Sequence, residues 1–181
     1  SGWSVSLSAN GTIVAIGATQ NAGNGTNSGQ VRVYKYNASK VTAVTDQSLP
    51  NFGPAGWDRL GQDIDGEAGG DESGRNVKLS ADGTIVAIGA SNNDGPSTST
   101  TDNRGHVRVY KYNANKTTPQ MDQTLPNFGP IGWSRLGADI DGEAASDQSG
   151  YSVSLSADGT VVAIGARYND GSGNALSDSG H

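Results

Sequence analysis

Two acidic strings hold the residues best equipped for chemistry. "DIDGEAGGD" places carboxylates at Asp63, Asp65, Glu67 and Asp71. "DIDGEAASD" repeats the pattern at Asp139, Asp141, Glu143 and Asp147. Acids at the first, third, fifth and ninth places of a loop are hard oxygen donors of the kind calcium takes, and the Gly69 carbonyl would extend the first set. An EF-hand-type loop, however, bends at a glycine in its sixth place, whereas Gly66 stands fourth. The alternative is a repeated turn. There Asp65-Gly66 breaks a strand, and Asp71 bonds the backbone that enters the next one. The glycine placement favours the turn, which requires no cofactor; calcium is the only cofactor to which the strings point.

Other chemistry is sparse. His106 and His181 stand at one repeat position, where the first copy has Gln30. A histidine interchangeable with glutamine is expected to be a polar strand residue rather than a base. No serine sits in a Gly-x-Ser-x-Gly elbow, and no catalytic set is predicted. Trp57 and Trp133 open equivalent strands and are expected to pack rather than to stack sugars. Asn-x-Ser/Thr triplets begin at Asn10, Asn24, Asn37 and Asn115, all in expected turns or loops, where glycan acceptors belong.

Composition narrows the class. The chain has 181 residues, 27 of them glycine, and is only 33% hydrophobic, which suits short strands and tight turns better than a helical bundle. A net charge of −6 disfavours nucleic acid as a partner. The absence of cysteine excludes disulfides. Apolar runs such as "IVAIGA" at 13–18 are far shorter than the roughly 18 residues a membrane helix needs, so membrane insertion is not expected. The start at Ser1, with neither an initiator Met nor a leader, reads as a segment of something longer.

Self-comparison shows the organisation. "SGWSVSLSANGTIVAIGA" at 1–18 returns as "SGRNVKLSADGTIVAIGA" from 73 and "SGYSVSLSADGTVVAIGA" from 149. The repeats are therefore 1–72, 73–148 and a partial 149–181. Each reads as four strands: an alternating "SVSLS", a continuously apolar "TIVAIGA", an alternating "VRVYKYN" and a final "GWDRLGQDI". Asn-Gly or Asp-Gly between the first two predicts a type I′ hairpin. The second strand, apolar on both faces, must be covered on both sides, so Val14, Ile16, Val86, Ile88, Val162 and Ile164 are the expected core. Tandem four-stranded antiparallel sheets of this kind fit an all-β propeller of radially packed blades, here about two and a half of them. A solenoid of stacked rungs is the alternative.

These units resemble the FG-GAP repeat, the blade of integrin-alpha-type propellers. The likeness rests on Ser1-Gly2-Trp3-Ser4-Val5, with Ser73-Gly74 and Ser149-Gly150 equivalent. Gly17-Ala18, Gly89-Ala90 and Gly165-Ala166 follow at a strand end, and Gly29, Gly105 and Gly180 open the third strand. Ser stands where the family has Phe, and Thr19, Ser91 and Arg167 stand where Pro is usual. The resemblance implies a larger propeller, completed by further blades of the same chain or by copies of it. It also implies calcium between the first two strands, but that connection is only Ala-Asn-Gly or Ala-Asp-Gly here, too short to wrap a cation.

An up-down blade brings the fourth-to-first connection and the second-to-third loop to one rim. That rim would be acidic, with Asp94, Asp102, Asp170 and Asp178 added to the two strings. Loops on a rigid scaffold commonly bind. In the long connection 38–56, Leu49 and Phe52 are expected to tuck beneath the sheet. Together these features predict a non-catalytic extracellular or cell-surface module with a structural, adhesive or protein-interaction role. Calcium-dependent binding of protein or glycan through the acidic rim is one alternative. A propeller belonging to an enzyme whose catalytic part lies elsewhere is another.

Overall fold

A computed structural model describes residues 2–97, 99–171 and 180. Asp178 and His181 lie outside the described residues. Twelve strands and no helix occur among the described residues. Unit 1 is an antiparallel sheet in the order β1 (Ser4–Leu7), β2 (Ile13–Gly17), β3 (Gln30–Tyr36), β4 (Trp57–Arg59), with β5 (Ile64–Asp65) also on β3. Unit 2 repeats it with β6 (Asn76–Leu79), β7 (Ile85–Ala90), β8 (His106–Tyr112), β9 (Trp133–Arg135) and β10 (Ile140–Asp141). Unit 3 contributes the pair β11 (Ser149–Leu155) and β12 (Val162–Ala166). The expected fourth strand is thus two short pieces in each full unit. It breaks at Leu60-Gly61 and Leu136-Gly137, where both glycines take positive φ.

The β1–β2 turn corrects the type I′ expectation. Gly11, Gly83 and Gly159 have φ near +70°, but Asn10, Asp82 and Asp158 do not join them. The side chain explains the difference. Asn10 Oδ1 accepts from the Thr12 amide at 3.0 Å and from Ser8 Oγ at 2.9 Å, an Asx cage that Asp82 and Asp158 repeat. A hydrogen bond runs on from turn to turn: the Ala9 amide donates to the Ala81 carbonyl and the Ala81 amide to the Ala157 carbonyl, each at 2.8 Å.

The core lies between the units. One apolar layer joins Ile13, Ala15, Val31 and Val33 of unit 1 to Val77, Leu79, Val86 and Ile88 of unit 2. A second joins Ala87, Val107 and Val109 of unit 2 to Val153 and Leu155 of unit 3. Strand β7 is therefore covered on both faces, as its continuous apolar sequence requires. In β2 and β12 only one face is covered, so Val14, Ile16, Val162 and Ile164 are half-buried where full burial was expected.

Units approach as backbone against backbone. A Cβ on Gly17 would lie 2.1 Å from the Gly74 carbonyl oxygen, and one on Gly89 would lie 2.1 Å from that of Gly150. This is the physical reason for the paired Gly-Ala and Ser-Gly motifs. Replacing Gly89 with alanine should cost about 2 kcal/mol, since neither backbone can turn aside. Chemical denaturation measures it, and a change within experimental error would show that the two units can part without penalty.

Candidate functional site

The strand order brings both acidic strings to one rim, beside the β2–β3 and β7–β8 loops. The Gly70 amide donates to the Thr26 carbonyl, and the Ser146 amide to that of Asp102. The Ser73 amide donates to the Ser28 carbonyl and the Ser149 amide to that of Arg104, clamping each loop to the next unit's entry. The eight carboxylates do not converge on a common point. They divide into repeated roles.

The first acid of each string grips two arginines. Asp63 accepts Arg32 Nε at 3.0 Å and Nη2 at 2.8 Å, and Arg59 Nη1 at 3.2 Å. Asp139 accepts Arg108 Nε at 2.8 Å and Nη2 at 2.6 Å, and Arg135 Nη1 at 2.5 Å. Each arginine pair brackets a phenylalanine, with guanidinium carbons 5.2–5.4 Å from the Phe52 centroid and 5.0–5.3 Å from that of Phe128. Phe128 is buried and Phe52 half-buried by this sandwich. Leu49, expected to tuck in beside Phe52, is exposed instead, as is its repeat equivalent Leu125.

The second acid meets the strand residue that varies: Asp65 accepts Gln30 Nε2 at 2.8 Å, and Asp141 lies 3.9 Å from His106 Nδ1. The third acid crosses to the next unit. Glu67 pairs with Arg108 at 2.9 Å and accepts from Gln123 Nε2 and from Asn93 Nδ2, the latter at 3.2 Å. Glu143 reaches Asn169 Nδ2 at 3.5 Å. The last acid closes its own loop instead of bonding the backbone that enters the next strand: Asp71 accepts the Ala68 amide at 2.9 Å and Asn93 Nδ2 at 3.0 Å, and Asp147 does the same with Ala144 and Asn169.

Charge follows geometry. Burial alone would raise Glu67 and Asp139, but Arg108 holds both below the ordinary carboxylate range, with Gln123 assisting at Glu67. Asp71, with no cation among its hydrogen-bond partners, is raised by burial. His106 is almost fully buried, and burial, seconded by Arg108, lowers it to about 4, so it is neutral at pH 7.

Glu67, His106 and Asp139 present ligand atoms within 4.8 Å of one another. The Arg108 guanidinium sits among them, 2.9 Å from Glu67 and 2.6 Å from Asp139. A cation would have to displace a positive group already bonded to both carboxylates. A cleft of about 290 Å³ opens between units 1 and 2 beside this network, floored by Asp63, Asp65 and Glu67 and walled by Met121 and Phe128.

Arg108, Arg135 and Gln123 were not singled out from the sequence. Their signal was the recurrence of Arg32, Arg59 and Gln47 at the equivalent places of unit 1. Trp133 is fully buried and donates Nε1–H to the Leu60 carbonyl at 2.9 Å, so it packs between units as expected. Of the sequon asparagines, Asn10, Asn24 and Asn115 are exposed. Asn24 and Asn37 commit their Nδ2 groups to Glu67 O at 2.7 Å and Asp58 Oδ2 at 2.6 Å. No helix of the described residues is long and apolar enough to cross a membrane. No protein-family model matches this chain, and no match to it is found among curated proteins.

Proposed function

We propose that the chain is part of a β-propeller, each unit a blade, that it acts as a non-catalytic structural or protein-interaction module, and that its principal partners are further blades of its own kind. One observation carries this reading: the surface that unit 2 turns toward unit 1 is also present on unit 1, where it is exposed. In unit 2 that surface is Val77, Leu79, Val86 and Ile88, all buried. In unit 1 the equivalents Val5 and Leu7 are 64% and 61% exposed. At the far side, Val161 occupies the place of buried Ile13 and is 64% exposed. Apolar faces of this kind mark interaction surfaces. The ionic lock repeats the asymmetry. Arg108 is seated by Glu67 from the preceding unit, whereas Arg32 and Gln47 hold the same socket with Asp63 as the only carboxylate among the described residues. A blade-like partner offers both the apolar face and the glutamate. An extracellular setting is part of the proposal and rests on the exposed sequons at Asn10 and Asn115.

The test is hydrodynamic. The 181-residue chain at micromolar concentration should sediment as an assembly, and Leu7→Glu should shift it toward smaller species. A cooperatively folded monomer would overturn the reading. Calcium supplies a second arm. Because guanidinium groups already occupy Asp63, Glu67 and Asp139 and the eight acids do not converge, millimolar calcium should leave the melting temperature within about 1 °C of its value in chelator. A larger rise would favour the calcium-dependent alternative.

A further inference from the structure

Two lysines at one repeat position have different surroundings. Lys40 Nζ donates to the Asn51 carbonyl, to the Trp57 carbonyl at 2.7 Å, and to Asp58 Oδ1 at 3.0 Å. An ammonium has three donors, and here all three are used. Lys116 Nζ donates to the Asn127 carbonyl and to the Trp133 carbonyl at 2.8 Å. The carboxylate is missing because the residue in register with Lys111, as Asp58 is with Lys35, is Ser134. Among the described residues no carboxylate lies within 4 Å of Lys116. Ser134 is itself buried, and its Oγ has no hydrogen-bond partner.

Lys116 lines a cleft of about 320 Å³ between units 1 and 2, together with Arg59, Ser48, Gln62, Tyr112 and Thr117. Its lining includes two cations and no carboxylate, in a chain of net charge −6. Arg59 is 6% exposed; one Nη bonds Asp63, the other the Gln47 carbonyl, and Nε is buried without a partner. Asp63 must also serve Arg32, so a single carboxylate answers two guanidinium groups. Unsatisfied buried donors are uncommon and call for a specific cause.

We infer that this cleft is an anion-binding site, in which a carboxylate, phosphate or sulfate group takes at Lys116 the place that the Asp58 carboxylate fills at Lys40. Hydroxyl and amide groups of Ser48, Thr117 and Gln62 complete a lining that suits an oxyanion. Burial lowers the affinity of Lys116 for its proton, and a bound anion would restore it. The site lies at the unit 1–2 junction, where Arg59 separates it from Asp63, and is independent of whether the units form a propeller.

The test uses inorganic phosphate and, separately, acetate, each titrated at constant ionic strength into the isotopically labelled 181-residue chain. Saturable amide shifts are expected at Gly61, Thr117 and Gly132, at millimolar concentration. Ser134→Asp supplies the carboxylate internally, in an arrangement that unit 1 already folds with. It should weaken binding at least tenfold without loss of structure, and Lys116→Met should do the same. A response to phosphate alone would define a tetrahedral site, and a response to both a general oxyanion site. Shifts that rise linearly with salt, or that persist unchanged in Ser134→Asp, would overturn the inference.

Discussion

Arg108→Met should destabilise the protein by about 3–5 kcal/mol at pH 7, the usual result of removing one partner from a buried charge cluster. Arg108 is almost fully buried, and its guanidinium faces Glu67 and Asp139 from two different units. Methionine would fill the volume but leave two carboxylates with reduced compensation. Arg32→Met is the internal control. Arg32 makes the same bonds to Asp63, but its side chain is 28% exposed and no second unit contributes to it, so its loss should cost about 1 kcal/mol. The deficit in Arg108→Met should also shrink on acidification, because Glu67 and Asp139 can then take protons and no longer carry uncompensated charge. Denaturant titrations at pH 7 and pH 4 measure both effects. Equal losses for the two arginines would show that the inter-unit ion pair adds nothing to the fold.

His106→Gln should leave stability at pH 7 little changed and flatten its decline in acid. In the folded protein His106 titrates near 4, below the ordinary value of 6.5, because it is buried and faces Arg108. Between those values the unfolded chain binds the proton that the folded chain refuses. Stability contributed by the neutral ring is thus fully present above pH 6.5 and lost as the pH falls toward 4, up to about 3 kcal/mol in total. Asp139 and Glu67 limit the loss by favouring the charged ring. Glutamine is the natural replacement, since Gln30 holds this position in unit 1 and donates to both Asp63 and Asp65. Melting curves from pH 4 to pH 7.5 make the comparison. An unchanged slope in the variant would assign the acid sensitivity to the carboxylates alone.

Much of the fold was legible because strand and turn signals are local. Alternation in "SVSLS", continuous branched residues in "TIVAIGA" and a glycine after each Asx residue mark strands and turns wherever they occur. The core of unit 2 followed for the same reason. The half-burial of Val14 and Ile16 in unit 1, and of Val162 and Ile164 in unit 3, did not, because an apolar strand looks the same whether one sheet or two cover it. The acids were legible as a repeat, but the partner of Asp71 was not: it reaches back three residues to the Ala68 amide, where a bond to the strand that follows was expected. Their main partners were hidden by distance along the chain. Arg108 and Asp139 are 31 residues apart, and Glu67 and Gln123 are 56 apart. Only the strand order, which sets β10 beside β8 and unit 1 against unit 2, reveals which charges meet.

The hydrogen bonds that pass from Ala9 to Ala81 and from Ala81 to Ala157 always run from amide to carbonyl in the same sense along the chain. Every turn therefore offers its neighbours one donor and one acceptor, whatever its place in the series. A repeat inserted between two others would find both partners waiting, and one deleted would leave the flanking turns able to join. At this point the junction is generic: adding or removing a repeat leaves the turn-to-turn hydrogen bond able to form without a new contact.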